Sequence, residues 1–207
     1  RQQPPYSGAR AEYIASQQLN ADRAPALVSL ASLAINEQRW ADAEELLLQA
    51  IKTEPWYVPA SVNLADFYRA QQREPEAEKT LKQALTIVPD NADLQLSYGL
   101  LLVRQQQLAQ ALTHLQQASQ QSIDPYYHYV YALALQQTGK QAAARAVLDN
   151  AAKNLRYSRD VQLARVENAW KEQDITTATQ YLAEWLGHDS QDPAALQWQQ
   201  TIGMKRP

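Results

Sequence analysis

Apolar and small residues recur along this chain with a period of about 34 residues, and each period contains two helical patterns joined by a short polar turn. The clearest copy runs from Val58 to Asn91. Its repeating positions are Leu64, Ala65 and Tyr68 in the first half, Ala77, Leu81 and Ala84 in the second half, and Pro89 at the end. Residues three and four apart share one helix face, so this pattern predicts a helix-turn-helix unit repeated in tandem.

Matches to that copy lie in register on both sides of it. The second-half positions recur at Ala43, Leu47, Ala50 and Pro55, at Ala111, Leu115, Ala118 and Ile123, at Ala144, Leu148 and Ala151, and more weakly at Ala178, Leu182 and Trp185. In the first halves a small residue recurs at Ala31, Ala65, Gly99 and Ala132, whereas Val166 takes that place in the last copy. A small side chain at this position lets two helix backbones approach closely.

The run Leu64-Ala65-x-x-Tyr68, followed by the second-half positions, resembles the tetratricopeptide repeat, a helix-turn-helix unit of this period. The resemblance covers about residues 24–192 and implies an all-α fold, a right-handed α-solenoid of about five helix pairs. The alternative interpretation is a generic helical bundle in which the spacing arose by chance.

The resemblance also implies how the chain is divided. The five units are expected at about residues 24–57, 58–91, 92–124, 125–158 and 159–192. Residues 1–23 are expected to form a tail and an N-terminal capping helix over Ala9–Asn20, which is alternatively the remnant of a preceding unit. Residues 193–207 are expected to form a C-terminal capping helix and a tail, because the apolar side of a terminal unit is otherwise open.

Composition and charge narrow the possible functions mainly by exclusion. The net charge of −3 offers no basic face for nucleic acid, and no stretch approaches the ~20 apolar residues that a membrane span requires. The absence of cysteine excludes thiolate metal sites and covalent haem. His114, His128 and His188 lie in different units, and helix carboxylates such as Glu44 and Glu76 are expected to face water. We therefore expect no catalytic residue, metal or cofactor.

In the tetratricopeptide family the first helix of each pair lines the concave face, and three columns of this chain share that helical phase. The columns are Val28, Val62, Leu96, Tyr129 and Leu163; Ser32, Asp66, Leu100, Leu133 and Glu167; and Ile35, Arg69, Val103, Gln136 and Trp170. The resemblance thus implies a groove for an apolar peptide or helix of a partner. Its expected residues are Val62, Asp66, Arg69, Leu96, Leu100, Val103, Tyr126, Tyr129 and Leu133.

A tyrosine cluster between residues 126 and 131 contributes to that surface. Tyr126 and Tyr129 are expected to face the groove and Tyr131 to lie in the core. Tyrosine combines a large contact area with a polar tip, which makes it common at interaction sites.

The predicted function is a non-catalytic protein-interaction module, and two alternatives remain. The runs Val62–Arg69, Tyr98–Gln105 and Tyr129–Leu135 resemble repeat arrays attached to bacterial multihaem c-type cytochromes, although the haem attachment motif is absent. That resemblance implies the docking region of an exported electron-transfer protein in the bacterial periplasm; otherwise a cytoplasmic location is expected. In the other alternative a second copy of the chain, or its own terminal helices, fills the groove, and the chain forms a homo-oligomer.

Overall fold

The computed structural model describes residues 23–203, which form eleven α-helices and no β-strand over that range. The helices are α1 (Ala24–Asn36), α2 (Trp40–Thr53), α3 (Val58–Ala70), α4 (Glu74–Ile87), α5 (Ala92–Arg104), α6 (Leu108–Gln121), α7 (Pro125–Gln137), α8 (Gln141–Asn154), α9 (Arg159–Lys171), α10 (Ile175–His188) and α11 (Pro193–Gly203). The predicted all-α fold class of tandem helix pairs is confirmed. The helix predicted at Ala9–Asn20 lies outside the described residues. None of the described helices has the length and apolarity needed to span a membrane.

Over the described residues the chain divides into two compact units, with the boundary between Tyr98 and Gly99, inside α5. In the first unit α1 packs against α2 and α3, while α3 also packs against α2 and α4. In the second unit α7 packs against α6, α8 and α9, and α10 packs against α9 and α11. The repeating second-helix alanines and leucines are buried, including Ala43, Leu47, Ala77, Leu81, Ala111, Leu115, Ala144 and Leu148. The periodic pattern therefore marks the face along which the helices pack.

The two helices of a pair approach closely at the recurring small residue. A Cβ atom added to Gly99 would lie 2.7 Å from Cδ2 of Leu115 and 3.3 Å from the backbone nitrogen of Leu115. Ala31 and Ala132, which occupy the same place in other pairs, are fully buried. Val166 is also fully buried, so the last pair accommodates a larger side chain there.

The turn inside each pair places one residue in the left-handed region of the backbone. Gln38, Gln72, Gln106 and Gln173 each have a φ of 60°, and Gly139 has a φ of 74° at the equivalent position. The next N–H bonds back into the first helix, as in Arg73 N–H to the Tyr68 carbonyl at 2.8 Å. This is a helix C-cap that glycine favours, and a glutamine there costs about 1–2 kcal/mol of backbone strain.

An ion pair links consecutive helix pairs in the first unit. Glu44 of α2 accepts hydrogen bonds from Arg73 at 2.8 and 3.0 Å and from the Tyr68 hydroxyl at 2.9 Å. The Arg73 guanidinium also lies 4.4 Å from the centre of the Tyr68 ring. The expectation that Glu44 simply faces water was therefore wrong, because residues of the next pair hold its carboxylate.

The second unit contains an ion pair of the opposite polarity at the corresponding place. Arg145 of α8 donates to Asp174 at 3.0 Å, and it also bonds to the Glu172 carboxylate. Here the arginine lies on the earlier helix pair, and the two acidic residues lie at the turn of the next pair.

Helix α11 covers the apolar side of the last described helix pair. Asp192 caps it by accepting from the Ala194 N–H at 2.8 Å, and the same carboxylate binds Arg159 at 2.6 Å. The Trp198 ring packs edge-on against Trp170, with 5.7 Å between the ring centres. Ala195 and Ile202 are buried in the same cluster as the side chains of α9 and α10. Helix α11 therefore shields apolar side chains of α9 and α10 from solvent.

The Gly139→Ala substitution is expected to lower the free energy of unfolding by about 1–2 kcal/mol, because alanine would have to hold a positive φ. The added Cβ would meet no atom within 4 Å, so the loss reports backbone strain alone. Urea unfolding measures the loss in the free energy of unfolding. Gly187→Ala is the matched control, since it adds a Cβ in open space inside α10, where alanine favours the helix. Equal losses at the two glycines would contradict this account of the turn.

Burial and the hydrogen bond to Glu44 raise the pKa of Tyr68 to about 12. The Glu44→Gln substitution is expected to lower this pKa, while burial keeps it above the ordinary value of 10.0. An NMR titration of isotope-labelled tyrosines measures it, and Tyr68→Phe assigns the signal. Because the folded-state pKa is raised, the stability that it contributes is present below pH 10.0 and is lost as the pH rises through about 12. An unchanged Tyr68 pKa in Glu44→Gln would argue against the hydrogen bond.

Candidate functional site

A cavity of about 380 Å³ opens on the first unit between α1 and α3. It is lined by Ala31, Ser32, Ile35 and Asn36 from α1, by Trp40 and Leu47 from α2, and by Asn63, Asp66, Phe67, Ala70 and Gln71 from α3 and its end. Ser32, Ile35 and Asp66 come from the predicted first-helix columns. The volume lies in the range of pockets that enclose small ligands or anchoring side chains.

Most of the lining is apolar, and a few polar groups accompany it. Ile35, Trp40 and Phe67 are the large apolar residues of the lining, and Phe67 is itself buried. The carboxamides of Asn36 and Asn63 can each donate and accept hydrogen bonds, which matches the two groups of a peptide bond. Such a cavity can hold an apolar side chain while its polar groups bond to the backbone that carries it.

The four predicted residues of the first unit differ in their relation to this cavity. Asp66 lines it and forms an exposed ion pair with Arg69, with 3.3 Å between carboxylate and guanidinium. Arg69, Val62 and Leu96 lie outside the lining, and Val62 and Leu96 are half-buried. An exposed ion pair of this kind is worth little stability, so its side chains are free to rearrange around a partner.

Two of the predicted residues of the second unit form an aromatic surface on α7. Tyr126 is 46% exposed, and its ring centre lies 6.5 Å from that of Tyr129. Burial raises the pKa of Tyr129, and the negative charges of Asp160 and Glu167 raise it further. Tyr129 therefore presents a neutral phenol near two carboxylates of α9.

The other predicted residues of the second unit are aliphatic. Leu100, Val103 and Leu133 are half-buried. Tyr131, which was expected in the core, is also only half-buried. Tyr131 is two positions from Tyr129 and five from Tyr126, so its side chain leaves α7 in a different direction from either.

The predicted site residues did not include Trp40. The indole is 43% exposed at the start of α2 and forms part of the cavity wall. The equivalent positions of the other pairs are Glu74, Leu108, Gln141 and Ile175, so an aromatic residue at this point of the repeat occurs in the first pair alone. That departure from the repeat was the available signal.

Groupings of side chains that could hold a metal ion were sought in the part of the chain that the structure describes. No three histidine, aspartate or glutamate side chains lie together there in a way that could bind one. Burial lowers the pKa of both His114 and His128, so the neutral forms are favoured.

Known structures resemble the chain over most of its length. It is similar to YrrB, described as a TPR protein with an unusual peptide-binding site, at 17% identity, a TM-score of 0.64, and coverage of 91% of this chain and 97% of that one. It is similar to PilF of Pseudomonas aeruginosa at 20% identity and a TM-score of 0.68, covering 96% and 89%. It is also similar to PilW, a type IV pilus biogenesis factor, at 18% identity and a TM-score of 0.72, covering 93% and 89%. At these low sequence identities the structural similarity is evidence for the fold alone.

Sequence comparison identifies the family. A search of the curated proteins found no significant match. Tetratricopeptide repeat models match residues 34–95, 75–134 and 125–150, which together cover more than half of the chain. Proteins built from this repeat are generally non-catalytic interaction scaffolds. The predicted resemblance is thus confirmed, and the chain belongs to the tetratricopeptide repeat family.

Proposed function

We propose that this protein is a non-catalytic scaffold that binds a peptide or helix of a partner protein through the first helices of its repeats. The cavity between α1 and α3 is the observation that carries the proposal. It combines an apolar wall at Ile35, Trp40 and Phe67 with two carboxamides that suit a peptide backbone. The partner's anchor in the first unit is then a large apolar side chain.

The tyrosine surface of α7 supports a second contact in the second unit. The exposed ring of Tyr126 and the half-buried ring of Tyr129 offer rigid contact area at a low entropy cost. The predicted aliphatic residues Leu100, Val103 and Leu133 are half-buried, so each retains apolar surface for a partner. Val62, Arg69 and Leu96 remain part of the same proposal in the first unit.

The Ser32→Arg substitution is expected to weaken partner binding at least about tenfold, because a long charged side chain would fill the apolar cavity. The partner is first captured from native extract with the wild-type chain, and its affinity for each variant is then measured by titration. Circular dichroism confirms that the variants are folded.

Ser29→Arg is the matched control for that experiment. Both serines lie on α1 and donate to the carbonyl four residues earlier, Ser29 to Pro25 at 2.9 Å and Ser32 to Val28 at 3.0 Å. Only Ser32 lines the cavity. If Ser32→Arg bound the partner as tightly as Ser29→Arg and the wild type, the cavity would not be the binding site.

The Tyr126→Ala substitution is expected to weaken the same complex by about 1–2 kcal/mol, the range for an aromatic contact at an interface. Tyr157→Ala serves as the control, because Tyr157 is a similarly exposed tyrosine of the second unit whose ring packs against His188. The two affinities are measured by calorimetry. Losses of equal size would show that the α7 surface has no special role.

A further inference from the structure

A second cavity, of about 470 Å³, lies in the second unit among α6, α7 and α8. It is lined by Gln116, Ser119, Gln120, Ser122, His128, Tyr131, Ala146, Val147, Asn150 and Leu155. On α7 it uses His128 and Tyr131, whereas the proposed partner surface uses Tyr126 and Tyr129. The cavity is therefore separate from the site of the proposed function, and its test does not depend on that function.

The lining of this cavity carries no charge. It contains no aspartate, glutamate, lysine or arginine. His128 is its one residue that titrates near neutral pH, and burial lowers the pKa of that imidazole, an effect that the nearby Asp124 carbonyl only partly opposes. A charged ligand would lose its hydration here without gaining an opposite charge, so the lining selects for a neutral ligand.

Several polar side chains around the cavity are open to a ligand. Nδ1 of His128 is buried and makes no hydrogen bond within residues 23–203. The side chains of Gln116 and Gln120 are exposed, and that of Tyr131 is half-buried. A ligand in the cavity can replace the water around these side chains and bond to several of them at once.

We propose that this cavity binds an uncharged, extended peptide segment of a partner. Each carboxamide offers a donor and an acceptor in one plane, which complements the N–H and C=O of a backbone amide. Gln116 and Gln120 of α6 lie four residues apart on one helix face, and Asn150 of α8 also contributes to the lining. Val147 and Leu155 provide apolar surface for one small aliphatic side chain.

A short random peptide library displayed on phage tests this proposal, with selection on the full wild-type chain and on Ala146→Arg. Ala146 lines the cavity and is exposed on α8, so arginine there can block the cavity without disturbing the core. Ala143→Arg is the control, because Ala143 is exposed on the same helix and lies outside the lining. Peptides that use the first-unit cavity would survive both substitutions.

The expected result is a class of peptides, poor in charged residues, that is enriched on the wild type and on Ala143→Arg but lost on Ala146→Arg. A synthetic member of that class should bind Ala146→Arg at least about tenfold more weakly and should shift the NMR signals of the His128 ring. Three results would overturn the proposal: no peptide whose binding depends on position 146, dependent peptides that carry charges, or binding at this cavity by neutral oligosaccharides in place of peptides.

Discussion

Close backbone approach at small buried residues is the constraint on which the rest of this structure depends. The space between Gly99 and Leu115 is too narrow for a single added carbon atom unless the leucine moves. Alanines at equivalent places, such as Ala31 and Ala132, are fully buried. Because the pairs with a small residue at this place are held at this separation, the remaining faces of their first helices are fixed in direction. The cavity beside α1 and the tyrosine surface of α7 follow from that fixed orientation.

Helix α7 shows how one first helix can serve two surfaces of different chemistry. Tyr129, whose ring lies near that of Tyr126, is close to carboxylates of α9, whereas His128 and Tyr131 line a neutral cavity with the carboxamides of α6 and α8. Both sets come from the same six-residue stretch, 126–131. A helix repeats its direction every 3.6 residues, so neighbouring aromatic side chains necessarily separate onto different faces. An aromatic cluster in sequence is therefore two clusters in space.

The helix pairs were predictable from the sequence because Ala43, Leu47 and their equivalents are buried in the same way in every copy of the repeat. The cavity was only partly predictable. Its Ser32, Ile35 and Asp66 follow from helical phase, but Trp40 belongs to a second helix and departs from the repeat. The bond between Glu44 and Arg73 joins residues 29 positions apart, and no local pattern distinguishes a paired carboxylate from a solvated one. Helical periodicity thus predicts which residues share a helix face, whereas the partners that each face contacts depend on tertiary structure.

The opposite polarity of the two inter-pair ion pairs has a consequence for how the repeats can be ordered. Glu44 meets Arg73 in the first unit, and Arg145 meets Asp174 in the second. If the chain folded out of register, with the pair that carries Glu44 stacked on the turn that carries Asp174, two carboxylates would meet. The reciprocal error would bring two guanidinium groups together. Near-identical repeats invite such misalignment, and like charges at a partly buried junction oppose it. These two ion pairs therefore help to fix the order in which the helix pairs stack along the chain.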